Sequence, residues 1–263
     1  MALGRVIFIG AGPGSADLIT VRGAQRLAQA DVVLFDALTD PALRAHAPNA
    51  RWINVGKRGF CDSTGQQTIN ALLVKHANEV ATVVRLKGGD PSVFGRLEEE
   101  LIALAEAGIA CEVVPGVTAA IAAAAATQRP LTRRGAGRSV SLTTAMTQTR
   151  ELRAARSADT EVFYMAGKQL AALARGLLDS GWPTDMPVSV VSRAGWPDQL
   201  HSDHTLDTLS RASLLHAGRP TVVTVGEGAR PVAVAKTTAK PVAAKQAKAP
   251  AQAISLPVKT PSP

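Results

Sequence analysis

The sequence has two cysteines, Cys61 and Cys111, far apart and without a CxxC partner. That pattern offers no disulfide framework and no zinc site, and it fits a reduced, cytoplasmic setting. No apolar run approaches the roughly 20 residues a membrane span needs. The N-terminus passes from Met1 to Arg5 straight into a strand, without a charged segment and a long apolar stretch, so no signal peptide is expected either. The five histidines match no ligand spacing, even with Asp203 between His201 and His204, and no metal is expected. Aromatic residues make up only 3% of the chain against 46% hydrophobic residues overall, the composition of an alanine-rich α/β protein. At 263 residues the chain can bury a sizeable core in one large or two small domains.

The formal charge of +8 looks at first like a nucleic-acid signal. Arg230, Lys236, Lys240, Lys245, Lys248 and Lys259 all fall after residue 228, with no acid among them, so residues 1 to 228 hold only +2 of that charge. The stretch from 229 onward is Ala, Lys, Pro, Thr and Gln without periodicity, and is expected to be a disordered tail. Its lysines are diluted by Ala and Pro and lack aromatic neighbours. It reads as a solubilising or partner-docking extension rather than a nucleic-acid binder.

Along the body, short apolar runs alternate with helical stretches. Strands are expected at Val6 to Ile9, Val32 to Phe35, Trp52 to Val55, Thr82 to Leu86 and Cys111 to Val114. Helices are expected from about Asp17 to Ala30, Gln66 to Glu79 and Glu98 to Ala107. This alternation implies a mostly parallel sheet covered on both faces, so the fold class is α/β. A second α/β unit starts near Val117, with a helix at the alanine run 119 to 126. Strands are expected at Val140 to Thr144, Glu161 to Met165, Val188 to Ser192 and Thr221 to Val225, and helices at about 168 to 180 and 205 to 216. The domains expected are therefore 1–116 and 117–228, with a ligand cleft between them.

Two loops invite a ligand. Lys87-Gly88-Gly89-Asp90-Pro91 follows a buried strand, and two glycines before Asp-Pro force an open turn at its carboxyl end. Such turns hold ligands in open α/β sheets, although Asp90 could equally be a helix-capping residue. Gly10-Ala11-Gly12-Pro13-Gly14 resembles a dinucleotide loop, and Asp36 sits where a ribose-binding acid would. Position 15, however, is Ser where the fingerprint wants Gly. A nicotinamide-dependent oxidoreductase therefore stays open, whereas the missing G-K-[ST] argues against a nucleoside triphosphate.

The order of motifs carries more than their spacing. G-A-G-P-G at 10 to 14, V-G-K-R at 55 to 58, R-L-K-G-G-D-P at 85 to 91, F-G-R at 94 to 96, V-V-P-G-V-T-A at 113 to 119, P-L-T at 130 to 132 and F-Y-M at 163 to 165 follow one another. Over residues 5 to about 228 the chain resembles the tetrapyrrole (corrin/porphyrin) methylases, and within them the members that methylate uroporphyrinogen III. The resemblance implies two α/β domains with S-adenosylmethionine bound between them, two successive methyl transfers giving precorrin-2 by way of precorrin-1 for sirohaem and cobalamin synthesis, and a homodimer. It implies donor binding by Pro13, Gly88, Gly89, Asp90, Val93, Thr118, Ala119, Met165 and Ala194. Asp36 and Lys57 match positions given proton-acceptor and proton-donor roles. An RNA methylase of the same superfamily is the reading the basic tail would favour.

A substrate with eight carboxylates needs cations, and the candidates are Arg58, Arg85, Arg96, Arg129, Arg133, Arg134 and Arg138, with Arg96 and Arg133 preferred. No fused dehydrogenase or ferrochelatase segment is expected. The chain departs from the family pattern on the substrate side. Arg133-Arg134-Gly135 stands where His-Arg-Asp is common, Leu97-Glu98 stands where two glycines usually follow F-G-R, and Gly59 to Thr64 lacks a histidine often seen there.

Overall fold

The most buried runs of the sequence form the centre of the first of two sheets. The computed structural model describes residues 3–56, 65–145 and 156–232. In it β1 (Arg5–Gly10), β2 (Val32–Phe35), β3 (Arg51–Asn54), β4 (Thr82–Lys87) and β5 (Cys111–Val114) pair in the order β3-β2-β4-β1-β5, all parallel. Side chains alternate across β1, so Val6 and Phe8 pack on one face while Ile7 and Ile9 pack on the other. Helices α2 (Gln66–Glu79) and α3 (Leu97–Glu106) cover the first face through Leu73 and Leu104. Helix α1 (Val21–Leu27) covers the second through Leu27. A strand covered on both faces can be apolar throughout, which is why these runs were readable from sequence.

The expected helix from 17 to 30 divides. Ala16–Leu18 is a short 3-10 turn, and α1 starts afresh at Val21, where the Thr20 hydroxyl accepts a hydrogen bond from the Gly23 amide at 3.0 Å. The glycine loop therefore does not open a helix, as a dinucleotide fingerprint requires. Chain connections leave β1 and β4 in opposite directions across the sheet, so the loops after these neighbouring strands flank the topological switch point.

The second sheet is mixed rather than parallel. Strands β6 (Val140–Thr144), β7 (Thr160–Tyr164), β8 (Pro187–Ser192), β9 (Leu200–Thr205) and β10 (Thr221–Gly226) lie in the order β6-β7-β10-β8-β9, and only β6 and β7 run parallel. Helix α5 (Leu170–Asp179) packs one face through Leu173 and Leu177 against Phe163 and Val223. Helix α4 (Ala119–Ala126) covers the other through Ala120 and Ala123 against Val162 and Val222. The expected helix at 205 to 216 is instead a turn, a 3-10 segment Leu209–Arg211 and the short α6 (Ala212–Leu215), while Leu200–Thr205 is an edge strand. The described residues up to Val232 belong to one compact unit. Among the described residues no helix is long and apolar enough to cross a membrane, and no cluster of His, Cys, Asp and Glu could hold a metal ion.

A buried histidine ties β8, β9 and β10 together. His216 has no exposed surface, and its Nδ1 and Nε2 bond the hydroxyls of Ser192 at 2.6 Å and Ser202 at 2.8 Å. Ser192 in turn bonds Thr221 at 2.7 Å. Burial, followed by the nearby charges of His204, Arg219 and His201, lowers the His216 pKa from its ordinary 6.5. A histidine depressed in the folded state contributes stability that is present above its unfolded pKa and is lost as pH falls through the folded one. The urea midpoint should therefore drop between pH 7 and 5, and His216→Asn should fall less steeply. Parallel pH profiles for the two proteins would exclude this role.

Candidate active site

Three loops from the carboxyl ends of the first sheet meet at the switch point. After β1, Gly12 pairs with Gly89 in the turn after β4. The Gly89 amide donates to the Gly12 carbonyl at 2.9 Å, and the Gly89 carbonyl accepts from the Gly12 amide at 3.2 Å. Asp90 then ties this turn to the loop after β5. One carboxylate oxygen accepts from the Gly116 amide at 2.8 Å and the other from the Ser92 amide at 2.7 Å. Asp90 is thus no helix cap, since α3 begins only at Leu97. Gly89 has φ +76°, in the left-handed region, and a Cβ there would meet only the Val117 carbonyl oxygen, in ordinary contact at 4.0 Å.

Beside this turn lies a cavity of about 210 Å³ between the two sheets. Pro13, Gly88, Gly89, Asp90 and Val93 line it from the first sheet's loops, Thr118 and Ala119 from the start of α4, and Met165 and Ala194 from the ends of β7 and β8. All the residues for which the family resemblance implies donor contact therefore line one cavity. Three of the non-glycine residues with positive φ, Phe94, Met165 and Arg193, line it too. Strain concentrated at one cavity is the backbone mark of a functional site. The walls are mostly apolar, with Val191 and Val222 opposite the glycines. Their two ionised groups are already engaged, since Asp90 accepts two amides and Arg193 pairs with Asp198 at 2.7 Å. S-adenosylmethionine has the chemistry to suit such a slot. Its rings want apolar surface and its sulfonium tolerates a neighbouring carboxylate.

A buried charge network flanks the cavity. Arg85 on β4 is 3% exposed, and donates from Nη2 to Asp36 at 2.7 Å and from Nε to Glu100 at 2.9 Å. The fully buried Glu100 also accepts from Lys87 Nζ at 2.6 Å. Burial would lower the Arg85 pKa, but Asp36 and Glu100 outweigh it and raise it. Lys87 is pushed down, by burial first and by the Arg85 charge second. Asp36 is the only member with appreciable exposure, 29% of its side chain. It opens on a second cavity of about 210 Å³ with Phe35, Arg44, Trp52 and Asn54. The turn from Asp36 to Thr39 forms the partition, because Asp36, Ala37 and Thr39 line this cavity and Leu38 lines the first.

Comparison with known proteins agrees with this geometry. The family model of tetrapyrrole (corrin/porphyrin) methylases matches residues 5–210. The chain belongs to this family. It is 42% identical over 234 residues to the uroporphyrinogen-III C-methyltransferase of Pseudomonas aeruginosa, covering 87% of this chain and 96% of that protein. Against siroheme synthase 1 of Klebsiella pneumoniae it is 43% identical over 85% of its own length but spans 49% of that larger protein. The uroporphyrin-III C-methyl transferase of Thermus thermophilus, solved with S-adenyl homocysteine, superposes with a TM-score of 0.75 at 34% identity, over 86% of this chain and 98% of that one.

The methylase motifs do not account for everything near the cavity. Arg96 and Arg133, the preferred substrate cations, line neither cavity. Arg96 forms a two-pronged pair with Glu99 one turn along α3, at 2.7 and 2.6 Å, and Arg133 donates to the Arg230 carbonyl. Arg129 is held by both oxygens of Asp203. Lys57 and Arg58 fall outside the described residues. Sequence reasoning missed Tyr164, although it stands inside F-Y-M. Its hydroxyl bonds Thr118 at 2.8 Å and accepts from the Ala120 amide at 3.3 Å, fixing the start of α4 against the cavity. Burial raises the Tyr164 pKa despite these bonds, so it stays a neutral phenol. Trp196, stacked under Arg193 at 4.3 Å, was also missed, having no motif to mark it.

Gly89→Val tests the first cavity. The branched side chain would sit on a residue that lines the cavity and strain a left-handed backbone by roughly 1–3 kcal/mol. The expected variant is folded, melts lower, and has lost measurable affinity for S-adenosylhomocysteine in calorimetric titration. Wild-type affinity would make this turn purely structural.

Proposed function

We propose that the chain is an S-adenosylmethionine-dependent C-methyltransferase that methylates uroporphyrinogen III twice, giving precorrin-2 by way of precorrin-1. The observation that carries this reading is the one cavity lined together by Pro13, the Gly88-Gly89-Asp90 turn, Thr118, Met165 and Ala194. It is joined by the near full-length likeness to a relative named for that reaction.

S-adenosylmethionine enters as a co-substrate with an activated methyl group, and the reduced pyrrole carbon is electron-rich. Most of the barrier is therefore lowered by in-line positioning and exclusion of water. In this reading Pro13, Gly88, Gly89, Asp90, Val93, Thr118, Ala119, Met165 and Ala194 hold the donor. Methylation leaves a cationic ring that must lose a proton, and Asp36 is the acceptor. Its support is position: it is the open end of the Arg85 network, on the far side of a one-turn partition from the donor cavity. Arg85 holds it aimed. Lys57, two residues beyond Val55, is assigned the complementary donor role.

The two sheets correspond to two lobes dividing near residue 117, with the reaction between them. The same reading takes the protein as a cytoplasmic homodimer whose product feeds sirohaem or cobalamin synthesis. The scarcity of cysteine supports the compartment.

Incubation with uroporphyrinogen III and methyl-labelled donor should place two labels in each product. Asp36→Asn should cut kcat by roughly 10²–10⁴-fold while S-adenosylhomocysteine affinity stays within about twofold of wild type. No incorporation would refute the assignment, and one or three methyl groups would move it to another reaction of the family.

A further inference from the structure

The cations that sequence favoured are largely engaged by the protein itself. Arg85, Arg96 and Arg129 each pair with carboxylates. Arg44, which carries no motif, differs from them. It lies in the 3-10 segment Pro41–His46, and its guanidinium sits over the rings of Phe35 at 5.4 Å and Trp52 at 5.6 Å. These rings meet edge to face at 5.6 Å, making a fixed aromatic corner. Among the described residues Arg44 makes no ion pair and its side chain donates no hydrogen bond. Stacking uses the face of a guanidinium and leaves its in-plane N–H groups available.

The surroundings decide what those donors face. Arg44 lines the second cavity with Asp36 and Asp40, and both acids have partners other than Arg44. Asp36 accepts from Arg85, while the oxygens of Asp40 accept from the Ala16 amide at 3.0 Å and the Ala42 amide at 2.8 Å. Asn54, also on the wall, accepts from the Gly56 amide through its oxygen at 2.9 Å, which leaves its NH₂ as a second donor. The cavity thus offers aromatic walls, a pre-stacked cation and an amide donor, beside the acid already assigned the proton. That combination suits an aromatic ring bearing carboxylate arms.

We propose that Arg44 is a specificity-determining residue that grips a peripheral carboxylate of the tetrapyrrole and seats one pyrrole ring beside Asp36. The inference rests on the methyltransferase reading above and adds to it the side of the cleft on which the substrate is held. Arg44 touches no donor-cavity residue in this scheme. Its loss should weaken substrate binding and leave the donor site alone.

Steady-state kinetics with uroporphyrinogen III test this on Arg44→Met, with Arg44→Lys as a second variant that keeps the charge and most of the stem over the rings. Arg44→Met should raise KM roughly ten- to hundredfold, the range for losing a charge-assisted hydrogen bond. Affinity for S-adenosylhomocysteine should not change. Arg44→Lys should fall between, because an ammonium keeps the charge but not the two-pronged fork. The wild-type KM should also rise with salt more steeply than that of Arg44→Met. An active wild type whose KM is matched within twofold by both variants overturns the inference alone. A wild type that transfers no methyl overturns the methyltransferase reading, and this inference with it.

Discussion

The contact between Gly10 at the end of β1 and Gly116 after β5 is the constraint on which the cleft depends. A Cβ on Gly10 would lie 2.5 Å from the Gly116 Cα and 2.8 Å from the Gly89 carbonyl oxygen, closer than any side chain is tolerated. Only glycine lets the three loops close on one another there. Once they are that close, Asp90 reaches the Gly116 amide and Gly89 reaches Gly12, so the turn after β4 is held from both sides. The left-handed backbone at Gly89 then lines the cavity, and the proposed donor site is a consequence of backbone packing at the switch point.

The charge network extends this order to the neighbouring cavity. Arg85, Lys87 and Glu100 are buried, and removing one partner of such a set strands the rest at a cost of roughly 3–5 kcal/mol. Its one open end is Asp36. The protein therefore fixes a carboxylate at the carboxyl end of β2 with the neighbouring strand, β4, whose end forms the glycine turn. Under the proposed function, one element, β4, would set both donor contact and proton acceptance.

Much of this was legible in the sequence, for unequal reasons. The five strands of the first sheet were readable because a doubly covered strand is a continuous apolar run. Leu200–Thr205 was not, because an edge strand reading L-H-S-D-H-T has its polar groups satisfied by neighbours such as Ser189, which bonds His201, and Arg129, which pairs with Asp203. The cavity residues were legible only through the order of motifs. Local spacing gave a glycine loop that could equally have been a dinucleotide site, until α1 proved to start away from it. Arginines were the weakest point. Arg96 could have been assigned to Glu99 three residues on, whereas the free donors of Arg44 depend on Phe35 and Trp52 lying under it, which is a property of the folded chain.

The central claim is that the methyl donor lies between the two sheets against the Gly88-Gly89-Asp90 turn. A crystal structure with S-adenosylhomocysteine tests it most directly. The account predicts ligand density contacting Gly88 and Gly89 on one side and Met165 and Ala194 on the other, with Asp36 outside direct contact across the turn. Density anywhere else, or a titration in which NAD binds and S-adenosylhomocysteine does not, would contradict it.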